Sequence, residues 1–527
     1  MYGLFPREEI ILNKSNLKSS VFLVSSIFIL ICVFLGALSP STFERIATQL
    51  FSFTTDYFGW FYLLSVFIIV VFLIALAFSK YGTIRLGGKD ARPEFKFHSW
   101  ISMLFSAGLG IGLVFWGVAE PMSHYFTTPF SDVEPLTTDA ARLAMGYSFF
   151  HWGVSQWSVF AIMGLVMAFM QFNKKKDLLM STALEPVTGT NKVVKNTIDI
   201  LAVIATVMGV ATSIGLGVLQ TNGGLHAVFG TPISVWVQLA IIAVMFVGYM
   251  MSSMTGLHTG IRILSNVNMA LALLMLLFVF VTGPTVFILE AFILAIGDYI
   301  NHFVEYSLRL QPYVNGTWVQ DWTIFYWAWA IAWSPFVGSF IARVSKGRTI
   351  REFIVGVLII PPLISCFWIA VFGGSALYFD LNEGTNMAES VSNDLTLALF
   401  HLLEQLPLTM IASITGILLI VIFLVTSADS ATFMMASMTS NGSLDPSNLM
   451  KVIWGVLMAA IAGVLLFTGG LDALQTASLI SALPFTFIVL LLIVSFLKMI
   501  KDEMVPISKR DIKRLKKMRE YIENEKK

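Results

Sequence analysis

Three stretches of this 527-residue chain carry residue types that could bind a small cation or zwitterion. The first is Ser106-Ala107-Gly108-Leu109-Gly110-Ile111-Gly112, with glycine at alternate positions. Each glycine weakens a helix by about 1 kcal/mol relative to alanine. The run therefore either unwinds and offers backbone amides to a ligand, or packs tightly through its small residues. The second stretch is aromatic. Trp152, Trp157 and Phe160 share roughly one helical face, and Trp329 and Trp333 lie four apart on another. Two such faces could box a cation, each contact contributing about 0.5–1 kcal/mol when exposed and about 2 kcal/mol when desolvated. Quaternary ammonium, with no N–H to donate, suits such a cage; bulky core packing is the competing reading. The third stretch is Phe423-Leu424-Val425-Thr426-Ser427-Ala428-Asp429-Ser430. Its hydroxyls either back-bond to the preceding turn or, beside an unwound segment, offer hard oxygen ligands to Na⁺. Asp429 is a functional candidate as an acid at or near membrane depth, or it pairs with a cation or caps a helix.

The chain that holds these stretches is built for lipid. Of its residues 57% are apolar and 12% charged; mean hydropathy is +0.80 and net charge +1. A soluble domain carries about 25% charged residues, so much of this surface must face hydrocarbon. The near-neutral charge argues against nucleic acid as a partner. There is no phosphate-binding loop of the Walker type to support ATP-driven transport, and no acid, base or metal set that points to an enzyme or a cofactor. Cys32 and Cys366 lie in apolar runs and read as small buried hydrophobes. His151 and His226 read as packed or hydrogen-bonded.

A hydrocarbon core of roughly 30 Å takes about 20 residues of helix, and about twelve apolar runs reach that length. They lie near 20–39, 57–78, 99–118, 139–171, 194–220, 232–251, 266–287, 321–343, 353–377, 407–437, 448–468 and 473–497. Unpaired backbone is not tolerated in lipid, which requires helices, and the alternating strands of a barrel are absent. The first run is too long for a signal-peptide core and reads as a retained helix. Lys80, Arg85, Lys89, Arg92 and Lys96 follow the second run, Lys174, Lys175 and Lys176 the fourth, and Arg343, Lys346, Arg348 and Arg351 the eighth. The alternate loops hold Glu120, Asp132, Glu134, Asp380 and Glu383. Cation-rich short loops mark the cytoplasmic side, so both termini are expected there.

Residues 288–310 mix apolar positions with Glu290, Asp298, His302 and Glu305, and read as an amphipathic helix along the outer interface. Residues 394–405 look like a shorter version of the same. Between Lys509 and Arg519 seven of eleven residues are Lys or Arg. This tail is either a solvated cytoplasmic helix or a segment that binds anionic lipid.

The glycine run continues as GLGIGLVFWGVAEP, the eighth run and its loop read DWTIFYWAWAIAWSPFVGSFIARVSKGRTIREF, the tenth contains TSADS, and the second basic loop reads RLGGKDARPEF. In these strings the chain resembles the betaine–choline–carnitine transporter family from about residue 15 to 500. The resemblance implies an all-α membrane protein of the LeuT type, with a cytoplasmic N-terminus (1–19), two extra helices and a basic loop (20–98), and two inverted five-helix repeats. The repeats fall on spans three to seven (99–287) and eight to twelve (321–497), with the interfacial helix between them and the basic tail at 498–527. It further implies a homotrimer in the cell membrane.

By position, the family's aromatic box falls on Trp152, Trp157, Phe160, Trp329 and Trp333; a neighbouring position often occupied by Trp is Ala330. The glycines Gly108, Gly110 and Gly112, with Ser213, are expected to meet a substrate carboxylate. The main Na⁺ site maps to Ser106, Ala107, Leu109, Phe423, Thr426 and Ser427. A second Na⁺ site would use Thr206 and Phe336, but Val210 stands where a second threonine is common. Proton-coupled choline members tend to carry Asp at the position of Gly112, so glycine there favours Na⁺ as coupling ion and a zwitterionic substrate. The resemblance thus implies Na⁺-driven import of glycine betaine or a related quaternary-ammonium osmolyte for osmoprotection, with a choline or carnitine carrier, or an Na⁺-independent exchanger, as alternatives on the same fold.

Overall fold

The computed structural model describes residues 19–505, apart from Leu109, Ser131, 256–257, 314–315, Leu444 and Met504. The basic tail at 509–519 lies outside the described residues. The described chain is helical, and its one β-bridge pairs Arg85 with Thr349. In order the helices are α1 (Ser20–Leu38), α2 (Pro40–Phe78), α3 (Phe97–Gly108), α4 (Ile111–Phe126), α5 (Thr138–Trp152), α6 (Val154–Phe169), α7 (Met180–Thr188), α8 (Lys192–Phe229), α9 (Val235–Thr255) and α10 (His258–Thr282). They continue as α11 (Thr285–Leu308), α12 (Phe325–Val344), α13 (Ile350–Glu383), α14 (Met387–Asn393), α15 (Ala398–Glu404), α16 (Thr409–Thr439) and α17 (Asn448–Lys501).

Among the described residues eleven helical segments are long and apolar enough to cross a bilayer. The difference from the expected twelve has three local causes. The third span is broken into α3 and α4, each too short to cross alone. The eleventh and twelfth spans run together as α17, which as a straight rod would be about 80 Å long; the backbone bends sharply at Gly469 and Gly470, the latter with φ +58°. In the other direction α11, expected along the interface, is itself long and apolar enough to span.

The breaks position the site. α3 ends at Gly108 and α4 begins after Gly110, whose φ of −117° and ψ of 174° are extended rather than helical. A second break, inside the fourth span, separates α5 from α6 at Gly153. A Cβ on Gly153 would sit 2.5 Å from both the Phe149 carbonyl oxygen and the Tyr299 hydroxyl, so only glycine fits. The Val154 amide, freed by the break, donates to the Tyr299 hydroxyl at 2.9 Å. α11 thereby satisfies a backbone donor that lipid could not. α11 is further fixed by a two-pronged Arg142–Asp298 pair, both bonds 2.7 Å, and by Tyr306 stacked on Tyr147.

The cation-rich loops meet on one side of the molecule. Leu86 N–H donates to the Arg348 carbonyl, Gly347 N–H to Leu86 and Ile350 N–H to Ile84, at 2.8–2.9 Å. Asn173, after α6, accepts from Gly87 N–H and donates to the Arg85 carbonyl. At the far end of α17, Lys174 pairs with Glu503 at 2.9 Å.

Candidate functional site

Trp152 closes α5, Trp157 and Phe160 lie on the first turns of α6, and Trp329 and Trp333 lie one turn apart on α12. The structure brings all five together around one narrow cavity of about 30 Å³, also lined by Gly110, Gly112, Leu113, Gln156, Ser213 and Ala330. Trp152 and Trp329 meet edge to face at 6.2 Å between ring centres, and Trp157 and Phe160 at 5.7 Å. Trp152, Trp157, Phe160 and Trp329 are each no more than 5% exposed.

The glycines face these rings. A Cβ on Gly112 would overlap Trp329 Cη2, whereas one on Gly110 would stand 3.7 Å from Trp333. Gly112 is thus required for the Trp329 ring to lie against the start of α4. The Leu113 and Val114 amides bond the Gly110 carbonyl at 3.1 and 3.4 Å, and the N-terminal end of α4 lies at the cavity wall that Gly110 and Gly112 form. The helix dipole adds partial positive charge there. Gly108 ends α3, and the surroundings of Ser106, Ala107 and Gly108 are not among the described side chains; Leu109 lies outside the described residues.

A second cavity, about 180 Å³, adjoins the first and shares Gly110 and Trp333 with it. Phe423, Thr426 and Ser427 line it, with Phe336, Asn268 and Ser430. α16 runs unbroken through Thr426 and Ser427 and meets the α3–α4 break across this space. Thr426 Oγ1 donates to the Ile422 carbonyl at 2.8 Å, which leaves its lone pairs without a donor among the described residues. Thr206 is fully buried in α8, its hydroxyl donating to Ala202 at 2.7 Å. It does not line the cavity that Phe336 lines. Asp429 is buried and accepts from Ser252 Oγ on α9 at 3.2 Å.

One sequence expectation is overturned. Glu120, counted above among the outer-loop acids, lies inside α4 and is fully buried. Its Oε2 accepts from the Trp152 indole N–H at 2.8 Å and the Tyr326 hydroxyl at 2.6 Å. Its Oε1 faces His151 Nδ1 at 2.6 Å and His124 Nε2 at 3.3 Å. His151 Nε2 in turn meets Thr323 Oγ1 at 2.9 Å. A carboxylate so placed holds the Trp152 ring and α12 in register with α4. The available signal was length: the apolar helix continues past Glu120 through Met122, Tyr125 and Phe126.

Membrane-length helices enclosing a small aromatic cavity between broken segments define a transporter, not an enzyme. The profile described as BCCT, betaine/carnitine/choline family transporter, matches residues 20–505, and the chain belongs to that family. It is 59% identical to the ectoine/hydroxyectoine transporter of Virgibacillus pantothenticus over 489 residues, covering 93% of this chain and 98% of the relative. It is 46% identical to the glycine betaine transporter OpuD of Bacillus subtilis, covering 95% and 97%. The osmo-dependent choline transporter BetT2 of Acinetobacter baylyi is 38% identical over 93% of this chain and 72% of its own.

Proposed function

We propose that this chain imports a compact zwitterionic osmolyte, of the glycine betaine and ectoine kind, by Na⁺ symport across the cell membrane. The observation that carries the reading is the five-aromatic cavity with the α4 N-terminus in its wall. Ring faces attract a delocalised or methylated cation, while the N-terminal end of α4 and its dipole attract a carboxylate. A free cation such as choline would leave that positive end unanswered.

Na⁺ coupling draws support from the adjoining cavity, where Thr426, Ser427 and the Phe423 backbone stand across from the glycine break. An ion bridging α16 to the α3–α4 break would brace the wall that the substrate needs, so ion and solute would favour each other's binding. Each Na⁺ entering down a potential releases about 2.3 kcal/mol per 100 mV, enough with its concentration gradient to concentrate a neutral solute. One ion is the simplest stoichiometry, given Val210 beside Thr206. Cytoplasmic termini, a trimeric assembly and osmotic sensing by the basic tail belong to the same reading.

The test is uptake of labelled glycine betaine and ectoine into proteoliposomes. Saturable accumulation that requires an inward Na⁺ gradient is expected. Accumulation independent of Na⁺ would leave an exchanger, and unsaturable flux a channel.

A further inference from the structure

Glu120, His124 and His151 form a cluster outside the aromatic cavity. Glu120 and His124 lie one turn apart on α4, His151 lies on α5, and all three are fully buried. Each offers a metal-ligating atom, and these atoms all lie within 4.8 Å of one another. Glu120 Oε1 is at the centre, 2.6 Å from His151 Nδ1 and 3.3 Å from His124 Nε2. A buried carboxylate calls for a paired charge or a metal ion. Among the described residues its only ion-pair partners are these two histidines, and no Lys or Arg reaches it.

Hydrogen bonding alone serves the cluster unevenly. The short contact holds one proton between Oε1 and Nδ1 of His151. His124 is left over: its Nε2 makes only the longer contact, and its Nδ1 is buried without a partner among the described residues. A divalent cation among the three atoms would bind His124 Nε2 as firmly as the other two. The surrounding contacts suit that role. Glu120 Oε2 is taken up by the Trp152 indole N–H and the Tyr326 hydroxyl, which leaves Oε1 for an ion. His151 Nε2 meets Thr323 Oγ1 at 2.9 Å, which fixes the ring with Nδ1 toward Glu120. Metal-ligating carboxylates and imidazoles are held from behind in this way.

The donor set selects the ion. Two imidazole nitrogens and one carboxylate oxygen suit Zn²⁺ and its first-row neighbours, whereas Mg²⁺ and Ca²⁺ prefer oxygen shells. Zn²⁺ takes such donors at about 2.0–2.2 Å, so tetrahedral neighbours stand about 3.3 Å apart. Oε1 and His124 Nε2 already have that separation. The Oε1–Nδ1 contact must open by about 0.7 Å as the ion displaces its proton. We propose that Glu120, His124 and His151 form a Zn²⁺ site beside the aromatic cavity, with water as the fourth ligand. Trp152 is held by the other oxygen of the same carboxylate, so the ion lies one side chain from the box.

The experiment strips the purified full-length protein of metal and measures Zn²⁺ binding by equilibrium dialysis, with Co²⁺ as a spectroscopic probe. One Zn²⁺ per chain at about micromolar affinity or tighter is expected, and Co²⁺ should give the strong visible bands of tetrahedral coordination. His124→Leu removes one ligand and places an apolar side chain against the Trp318 and Trp322 rings; it is expected to weaken Zn²⁺ at least about a hundredfold. Thr323→Val keeps all three ligands and removes only the contact behind His151, so a loss of about tenfold is expected. His401→Gln, at the separate His401–Glu404 pair, should bind as the wild type does. No binding by the wild type would overturn the assignment. So would wild-type affinity in His124→Leu, or loss of the ion in His401→Gln, since either places it elsewhere. Weak octahedral Co²⁺ bands from the wild type would also overturn it, and that spectrum decides even where a variant fails to fold. The readout needs no solute, so its outcome is independent of the osmolyte reading.

Discussion

At the scale of single residues, the site works by what surrounds each ring. Trp333 forms the wall between two cavities and Trp152 is tethered by Glu120. Trp333→Ala and Trp152→Ala should each weaken solute binding by about tenfold or more, the worth of one desolvated cation–π contact; titration of the purified variants checks this, and unchanged affinity would remove that ring from the box. Gly112→Ala should be damaging despite adding a single methyl. Its Cβ would overlap Trp329, and overpacking costs about 1–3 kcal/mol. A lowered melting temperature together with weaker binding is expected. The box aromatics were legible because tryptophan deep in an apolar helix departs from its usual interfacial place. Glu120 was not, since a single polar residue in an apolar run has no periodicity, and only the partners brought to it in space reveal its task.

The helices themselves are interrupted where the chemistry is. The glycine run announces the α3–α4 break, because three glycines in five residues are hard to reconcile with a stable helix. The α5–α6 break at Gly153 was hidden, one of three well-spaced glycines in its span, with Gly146 and Gly164. What makes it tenable is α11, whose Tyr299 hydroxyl accepts the freed Val154 amide. Tyr299→Phe should therefore leave a backbone donor without its partner, costing about 1–3 kcal/mol. A drop in thermal stability, and a rise in the solute concentration for half-maximal uptake, would follow from loosening the segment that carries Trp152, Gln156 and Trp157. Wild-type behaviour in both would show that the break is held by packing alone. The runs at 448–468 and 473–497 part in the sequence where the backbone bends at Gly469 and Gly470, although the helix continues across the bend as α17.

Across the whole molecule, the two cavities meet at Gly110 and Trp333, so an ion in one and a solute in the other would share a wall. Thr426→Ala should raise the Na⁺ concentration for half-maximal uptake and, by linkage, weaken solute binding at sub-saturating Na⁺. Solute titrations at several Na⁺ concentrations measure both halves; a variant with the wild-type Na⁺ dependence would take Thr426 out of the ion site.

The short backbone ladder between residues 84–86 and 347–350 joins the stretch leaving α2 to the start of α13. Those two helices lie far apart in the chain, one ending at Phe78 and the other starting at Ile350. Any relative motion of α2 and α13 must either carry both together or break the three backbone hydrogen bonds that tie them at this loop. In this sense α2 is strapped to α13, and the register of three residues in a loop fixes where the strap holds.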